Sequence, residues 1–154
     1  MNDDKSVLYI LMRNDMPSMN IGKAMAQASH ASNQFIHSHK DDSEVKHWMK
    51  QTDYGFGTVI VLSATGEEVN EIDSICNDLY HQENYKIIHD IVTDPTYPYV
   101  VNKETYNLLS HDNMKINKDL DDNKFLLTRS AITCSYVFAH NYAIKLMMDK
   151  FKLF

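Results

Sequence analysis

With 154 residues, 44% of them hydrophobic, the chain is long enough to bury one core and too short for two full domains. Its formal charge of −6 excludes a protein that coats nucleic acid nonspecifically, because neutralising phosphates needs a surplus of Lys and Arg, but it leaves room for a local basic cleft. Cys76 and Cys134 share no short spacing, which excludes a disulfide framework and a Cys-based zinc site and suits small core residues in a reducing cytoplasm.

Residues 1–6 are acidic and lead straight into Val7-Leu8-Tyr9-Ile10-Leu11-Met12, an apolar run too short for a signal peptide or a membrane span but suited to a buried strand. A soluble, unprocessed, cytoplasmic protein is expected. Residues 13–21 form a short polar turn around Pro17, and from Gly22 to Gln34 the spacing becomes helical. At roughly 100° per residue, Lys23, Gln27, His30 and Gln34 fall on one line, and Ala24, Ala28, Ala31 and Phe35 on another about 100° away. The alanine line lets a helix approach a sheet closely. The cation, amide and imidazole beside it have the chemistry of a site for an anionic, hydrogen-bonding ligand, or equally of a solvated polar face, and spacing alone leaves both open.

His37-Ser38-His39-Lys40 reads as a polar break, followed over 44–50 by a short amphipathic segment with Val45, Trp48 and Met49 on one side. Residues 58–63 have the β-branched character of a second buried strand. Thr65, with Glu68 three residues on, forms a capping box for a helix whose apolar stripe is Val69, Ile72, Ile75, Cys76 and Leu79. A third strand is expected over 85–92, closing at Thr93-Asp94-Pro95-Thr96 because proline cannot donate to a ladder. Residues 97–124 are polar and turn-prone, with a helical turn or two over 104–110, and read as an inserted loop of roughly 20 residues near the functional end of the sheet. A last strand over 128–139 and an amphipathic helix carrying Ala143, Ile144, Leu146, Met147, Met148 and Phe151 complete a single-domain α/β fold, with a mixed sheet of about four strands flanked by helices.

The order Val7-Leu8, Arg13-Asn14-Asp15-Met16, Gly22-Lys23, then Ala26-Gln27-x-Ser29-His30-Ala31 resembles the opening signature of the type 2 peptidyl-tRNA hydrolases. Those enzymes carry a hydrophobic strand ending in Arg-x-Asp-Leu, then Gly-Lys, then Ala-Gln-x-Ser/Ala-His-Ala. The family's lysines before the helix and just ahead of Gly-Lys are replaced here by Pro17 or Ser18 and by Ile21. Its aspartate at the end of the third strand, followed by Ala-Gly-x-Thr, corresponds to Asp94 with Thr96, in preference to Asp90 with Thr93. Thr133 is a partial match to the family's last strand.

The resemblance implies hydrolysis of the ester joining a peptide to the ribose of tRNA, with peptidyl-tRNA as partner, no cofactor and a homodimeric state. It implies Lys23, His30, Asp94 and Thr96 as catalytic residues: Lys23 for the oxyanion or terminal phosphate, Asp94 to orient lysine or water, and Thr96 as its hydroxyl partner. His30 serves as a hydrogen-bonding support or as the base, since imidazole titrates near neutrality. Arg13, Gln27, Arg129 and Thr133 are assigned to substrate binding. Other readings are a nucleotide-binding module, disfavoured because Gly22 stands without a Gly-rich loop; a metal site at His30, His37 and His39; and a tRNA-binding or protein-interaction module that has lost catalysis on the same fold.

Overall fold

The computed structural model describes residues 5–82, 86–108, 114–121, 123–139 and 142–154. Residues 1–4, Tyr85, Ser110 and Asp122, which entered the sequence reading, lie outside them. The elements in chain order are β1 (Val7–Arg13), α1 (Ile21–His39), α2 (Ser43–Met49), β2 (Thr58–Ala64), α3 (Gly66–Tyr80), β3 (Ile88–Asn102), α4 (Lys103–Leu108), β4 (Met114–Asp121), β5 (Lys124–Ala139), α5 (Tyr142–Met148) and β6 (Lys152–Leu153).

β1 is apolar at consecutive positions because both its faces are covered. Leu8, Ile10 and Met12 meet Ala24, Ala31 and Phe35 of α1 together with Val45 and Trp48 of α2. Val7, Tyr9 and Leu11 meet Val69, Ile72 and Cys76 of α3 and Ile144 and Met148 of α5. The sheet is six-stranded and mixed, in the order β3-β5-β1-β2-β6, with β4 also pairing β5. β1 runs parallel to β2 and antiparallel to β5. The capping box forms as the sequence predicts: Thr65 Oγ1 accepts from Glu68 N at 3.2 Å and Glu68 Oε2 accepts from Thr65 N at 2.7 Å. Cys76 and Cys134 are free and buried, and among the described residues no helix is long and apolar enough to cross a membrane.

Trp48 fixes α2 beneath the sheet. Its Nε1 donates to the Thr58 carbonyl at 3.0 Å, and its ring meets Phe35 and Phe138 edge-on. Gly57 leaves room for the indole, which any side chain at that position would strike.

Three expectations are corrected. α1 does not break at His37 but runs on to His39, whose ring packs 5.9 Å from that of Phe35, so its buried stripe carries the helix through a polar stretch. β3 does not close at Asp94 and Pro95 but continues to Asn102. Pro95 falls inside a register shift between Asp94 and Tyr97, and β3 is the edge strand of the sheet, so its prolines need not interrupt the ladder. The stretch expected as loop from Tyr97 onward instead contains the rest of β3, α4 and β4, and β5 begins at Lys124, before the expected start. β5 is the spine of the molecule: β3 follows one of its edges throughout, while the other edge holds β1 along Cys134–Ala139 and β4 along Lys124–Arg129. Beyond the helix-covered sheet, the chain thus builds a three-stranded antiparallel arm.

Candidate active site

The site lies where α1 crosses the border between the covered sheet and the arm. α1 starts cleanly because Asn20 caps it, its Oδ1 accepting from Lys23 N at 3.0 Å. This puts Lys23 in the first turn and Gln27 one turn further on.

The sequence places Gln27 on the polar line of α1, yet it is 4% exposed. The helix is rotated so that Gln27 joins Ala24, Ala31 and Phe35 inside, while Ala28 is half-buried. A buried amide is tolerated when both its ends are paired. Here Thr133 Oγ1 donates to Gln27 Oε1 at 2.8 Å, and Gln27 Nε2 donates to Asp94 Oδ2 at 2.7 Å.

A bulge in the ladder makes that bridge. Val92 pairs with Cys134 but Thr93 pairs with Ile132, so Thr133 is an extra residue on β5. An extra residue breaks the alternation of side chains. Thr133 and Cys134 therefore both address Gln27, Cys134 Sγ lying 3.7 Å from the Gln27 carbonyl oxygen.

The second register shift, between Asp94 and Tyr97, supports the other half. Asp94 Oδ1 accepts from Thr96 N at 2.8 Å, with the Thr96 hydroxyl at 3.4 Å, and the carboxylate is held at both oxygens. Lys23 Nζ donates to the Pro98 carbonyl at 2.8 Å and stands 5.1 Å above the centre of the Tyr97 ring. Desolvation by this partial burial lowers the Lys23 pKa. Burial raises that of Tyr97, and the nearby charge of Asp94 adds to it. Ser18 donates to the same Pro98 oxygen at 3.1 Å.

Lys23, Gln27, Asp94, Thr96 and Thr133 thus converge. His30 does not join them: it is exposed on α1 and, among the described residues, makes no hydrogen bond to the cluster. Nor do His30, His37 and His39 gather as ligands, since among the described residues no three His, Cys, Asp or Glu side chains are grouped to hold a metal. Asp90 is exposed and accepts from Gln34 Nε2 at 3.0 Å, about three turns along α1 from Lys23.

Arg13 is committed to the framework. Its Nε and Nη2 meet Asp15 at 2.8 and 3.0 Å, and its Nη1 donates to the Ile132 carbonyl at 3.1 Å, next to the bulge. Asp15 also accepts from Gly66 N at 3.1 Å, and a Cβ at Gly66 would lie 2.8 Å from the guanidinium. The clasp raises the Arg13 pKa and lowers that of Asp15, the side-chain hydrogen bond being the main cause of each. Arg129 is exposed on the arm. Both arginines line a cavity of about 730 Å³ between the arm and the turn at Pro17 and Ser18. Sequence reasoning missed Tyr97 and the Pro98 carbonyl as partners of Lys23; the Tyr97-Pro98 pair resembles ordinary turn chemistry until β3 is seen to continue through it.

The family model described as Peptidyl-tRNA hydrolase PTH2 matches residues 6–100. The chain belongs to that family. Neither the curated proteins nor the solved structures gave a match. The PTH2 match spans β1 to Val100 inside β3, and so includes Lys23, Gln27, Asp94 and Thr96. Thr133, which orients Gln27 from β5, lies beyond it.

Proposed function

We propose that this PTH2-family protein hydrolyses the ester of peptidyl-tRNA or of an N-blocked aminoacyl-tRNA, releasing free tRNA. The observation that supports this most is the bridge Thr133–Gln27–Asp94, with Lys23 one turn away on the same helix. Ester hydrolysis needs a positioned water, a group to take its proton, and a positive charge where the oxyanion develops.

Asp94, held through both oxygens, orients the attacking water and accepts its proton. Water attacks the carbonyl carbon, and collapse of the tetrahedral intermediate breaks the bond to the ribose oxygen, which leaves with the proton that Asp94 took from the water. Lys23 supplies the positive charge beside the developing oxyanion, its ammonium partly desolvated against Tyr97. Gln27 and Thr133 act through Asp94 as positioning residues. His30 is left without a role at the reacting atoms.

The test is release of N-acetylated amino acid from N-acetyl-aminoacyl-tRNA, followed with the wild type and with Asp94→Asn. Turnover by the wild type that collapses in the variant while tRNA stays bound is the expected result. Binding of tRNA without turnover by the wild type would replace this proposal with a tRNA-binding module.

A further inference from the structure

Lys23 carries a charge that no acid answers. Its Nζ donates to the Pro98 carbonyl at 2.8 Å and stands 5.1 Å above the centre of the Tyr97 ring, and among the described residues no carboxylate lies within ion-pair distance of it. Asp94 gives its oxygens to Gln27 and Thr96 instead. Both partners of the ammonium are therefore neutral. A carbonyl dipole and the negative face of a ring fix a cation and favour its charged form, yet leave its whole charge for a third group. A carboxylate in their place would hold the lysine as firmly and cancel its field.

The ring is itself immobilised. Tyr97 is fully buried, its hydroxyl donates to Met19 Sδ at 3.7 Å, and Tyr99 meets it edge-on with ring centres 5.1 Å apart. Met19 precedes Asn20, the residue that caps α1 at Lys23 N. Ring and ammonium are thus both referred to the turn that starts the helix. The other ionisable groups of the junction are engaged elsewhere: Arg13 by Asp15, Asp94 by Gln27 and Thr96, while Tyr99 feels the charge of Arg129. We propose that Tyr97 is a positioning residue for Lys23, the face of its ring and the Pro98 carbonyl holding the ammonium charged and aimed without neutralising it. What the charge does there rests on the hydrolase reading, which this role deepens. Desolvation lowers the Lys23 pKa, and the attraction between ring face and cation opposes that loss of charge.

The experiment joins nuclear magnetic resonance of the full chain, isotopically labelled at the lysine ε-carbon, to hydrolysis of N-acetyl-aminoacyl-tRNA. The Lys23 signal, identified by its absence in Lys23→Ala, is expected upfield of a lysine in water, because nuclei over a ring face are shielded. Tyr97→Phe keeps the ring and should keep this shift, the alkaline titration midpoint of Lys23 and kcat. Tyr97→Leu should lose the shift and move the midpoint to lower pH, and its kcat should fall about tenfold with KM little changed, as expected for a misaimed group. Should Tyr97→Leu not fold, Tyr97→Met takes its place, since an unbranched chain fills irregular space. A Lys23 signal without the upfield shift, or a midpoint or kcat that the ringless variant leaves unchanged, would overturn the proposal. So would equal losses of kcat in Tyr97→Phe and the ringless variant, which would assign the effect to the hydroxyl. A shifted Lys23 in a wild type without turnover would sink the hydrolase reading and leave Tyr97 as the holder of Lys23, and turnover with an unshifted Lys23 would do the reverse.

Discussion

The β3–β5 pair is one antiparallel ladder with two different halves. The inner half, Ile88–Asp94 against Ala131–Phe138, lies under α1, and Val92, Cys134, Tyr136 and Phe138 are buried there. The outer half, Tyr97–Asn102 against Lys124–Arg129, has β4 for a neighbour and, among the described residues, no long helix over it; Val100 is 51% exposed. The two register shifts fall at the junction, and the polar cluster sits between them. A strand pair therefore changes from helix-covered core to open rim without ending, because one extra residue on each strand re-aims the side chains that follow.

The sharpest test of this division compares two aspartates of the inner half. Asp94→Asn keeps the shape but removes the group proposed to take a proton, so turnover should fall on the order of 10²–10⁴-fold with tRNA affinity kept. Asp90→Asn should be nearly silent, since its side chain is exposed and its hydrogen bonds are to Gln34 and to the backbone of Ile91, away from the Lys23–Asp94 cluster. Equal losses in single-turnover hydrolysis would erase the distinction between the junction and the rest of β3.

Next in size, Lys23→Ala should cut turnover at least about tenfold. The unfolding midpoint should barely move, because Lys23 is only partly buried and the Pro98 carbonyl it leaves keeps the Ser18 hydroxyl as a donor.

Thr133→Val addresses the bulge itself. It leaves Gln27 Oε1 buried without its donor, and chemical denaturation should show a loss of about 1–3 kcal/mol. Turnover should fall as well, through a lower kcat with little change in KM, because Asp94 loses its orientation and not its charge. A stability loss with unchanged kcat would make Thr133 purely structural. Cys76→Leu, at a fully buried position in the core on the opposite face of the sheet, is the control: about 1–3 kcal/mol of overpacking with kcat retained in the folded fraction.

The smallest effect is a pH dependence at the end of β1. The folded-state pKa of Asp15 is depressed below its ordinary 3.8, chiefly by the bond to Arg13. A depressed carboxylate adds stability above its unfolded pKa that is lost as pH falls through the folded one. Asp15→Asn should therefore be less stable than wild type at neutral pH, and the gap should close on acidification below about pH 3.8 in thermal melts. A gap that persists in acid would assign the clasp's effect to packing.

What the sequence made legible follows from where each constraint acts. β1, α1, β2 and α3 announce themselves through local patterns: a two-faced apolar run, an alanine stripe, β-branched residues and the Thr65/Glu68 box. Lys23, Gln27 and Asp94 were reachable from spacing and motif. The burial of Gln27 was not, since it depends on a hydroxyl from β5, 106 positions along the chain. β3 was cut short because Pro95 and Pro98 are read as terminators, and their tolerance depends on β3 being an edge strand, a fact of sheet order. The arm was hidden for a related reason: β4 is rich in Lys, Asn and Asp, and the apolar residues of the outer strands, Tyr99, Val100, Val101, Phe125, Leu126 and Leu127, are set off from the core strands by Pro95, Pro98 and the acidic run before Lys124.

Trp48 has a practical consequence for following these events in solution. It is the single tryptophan of the chain, 3% exposed and clamped between Phe35, Phe138 and the Thr58 carbonyl. Selectively excited emission thus reports on the packing of α1 and α2 against the sheet. Loss of that signal on unfolding therefore follows the inner half of the sheet and is blind to the arm, whose opening must be followed by another probe.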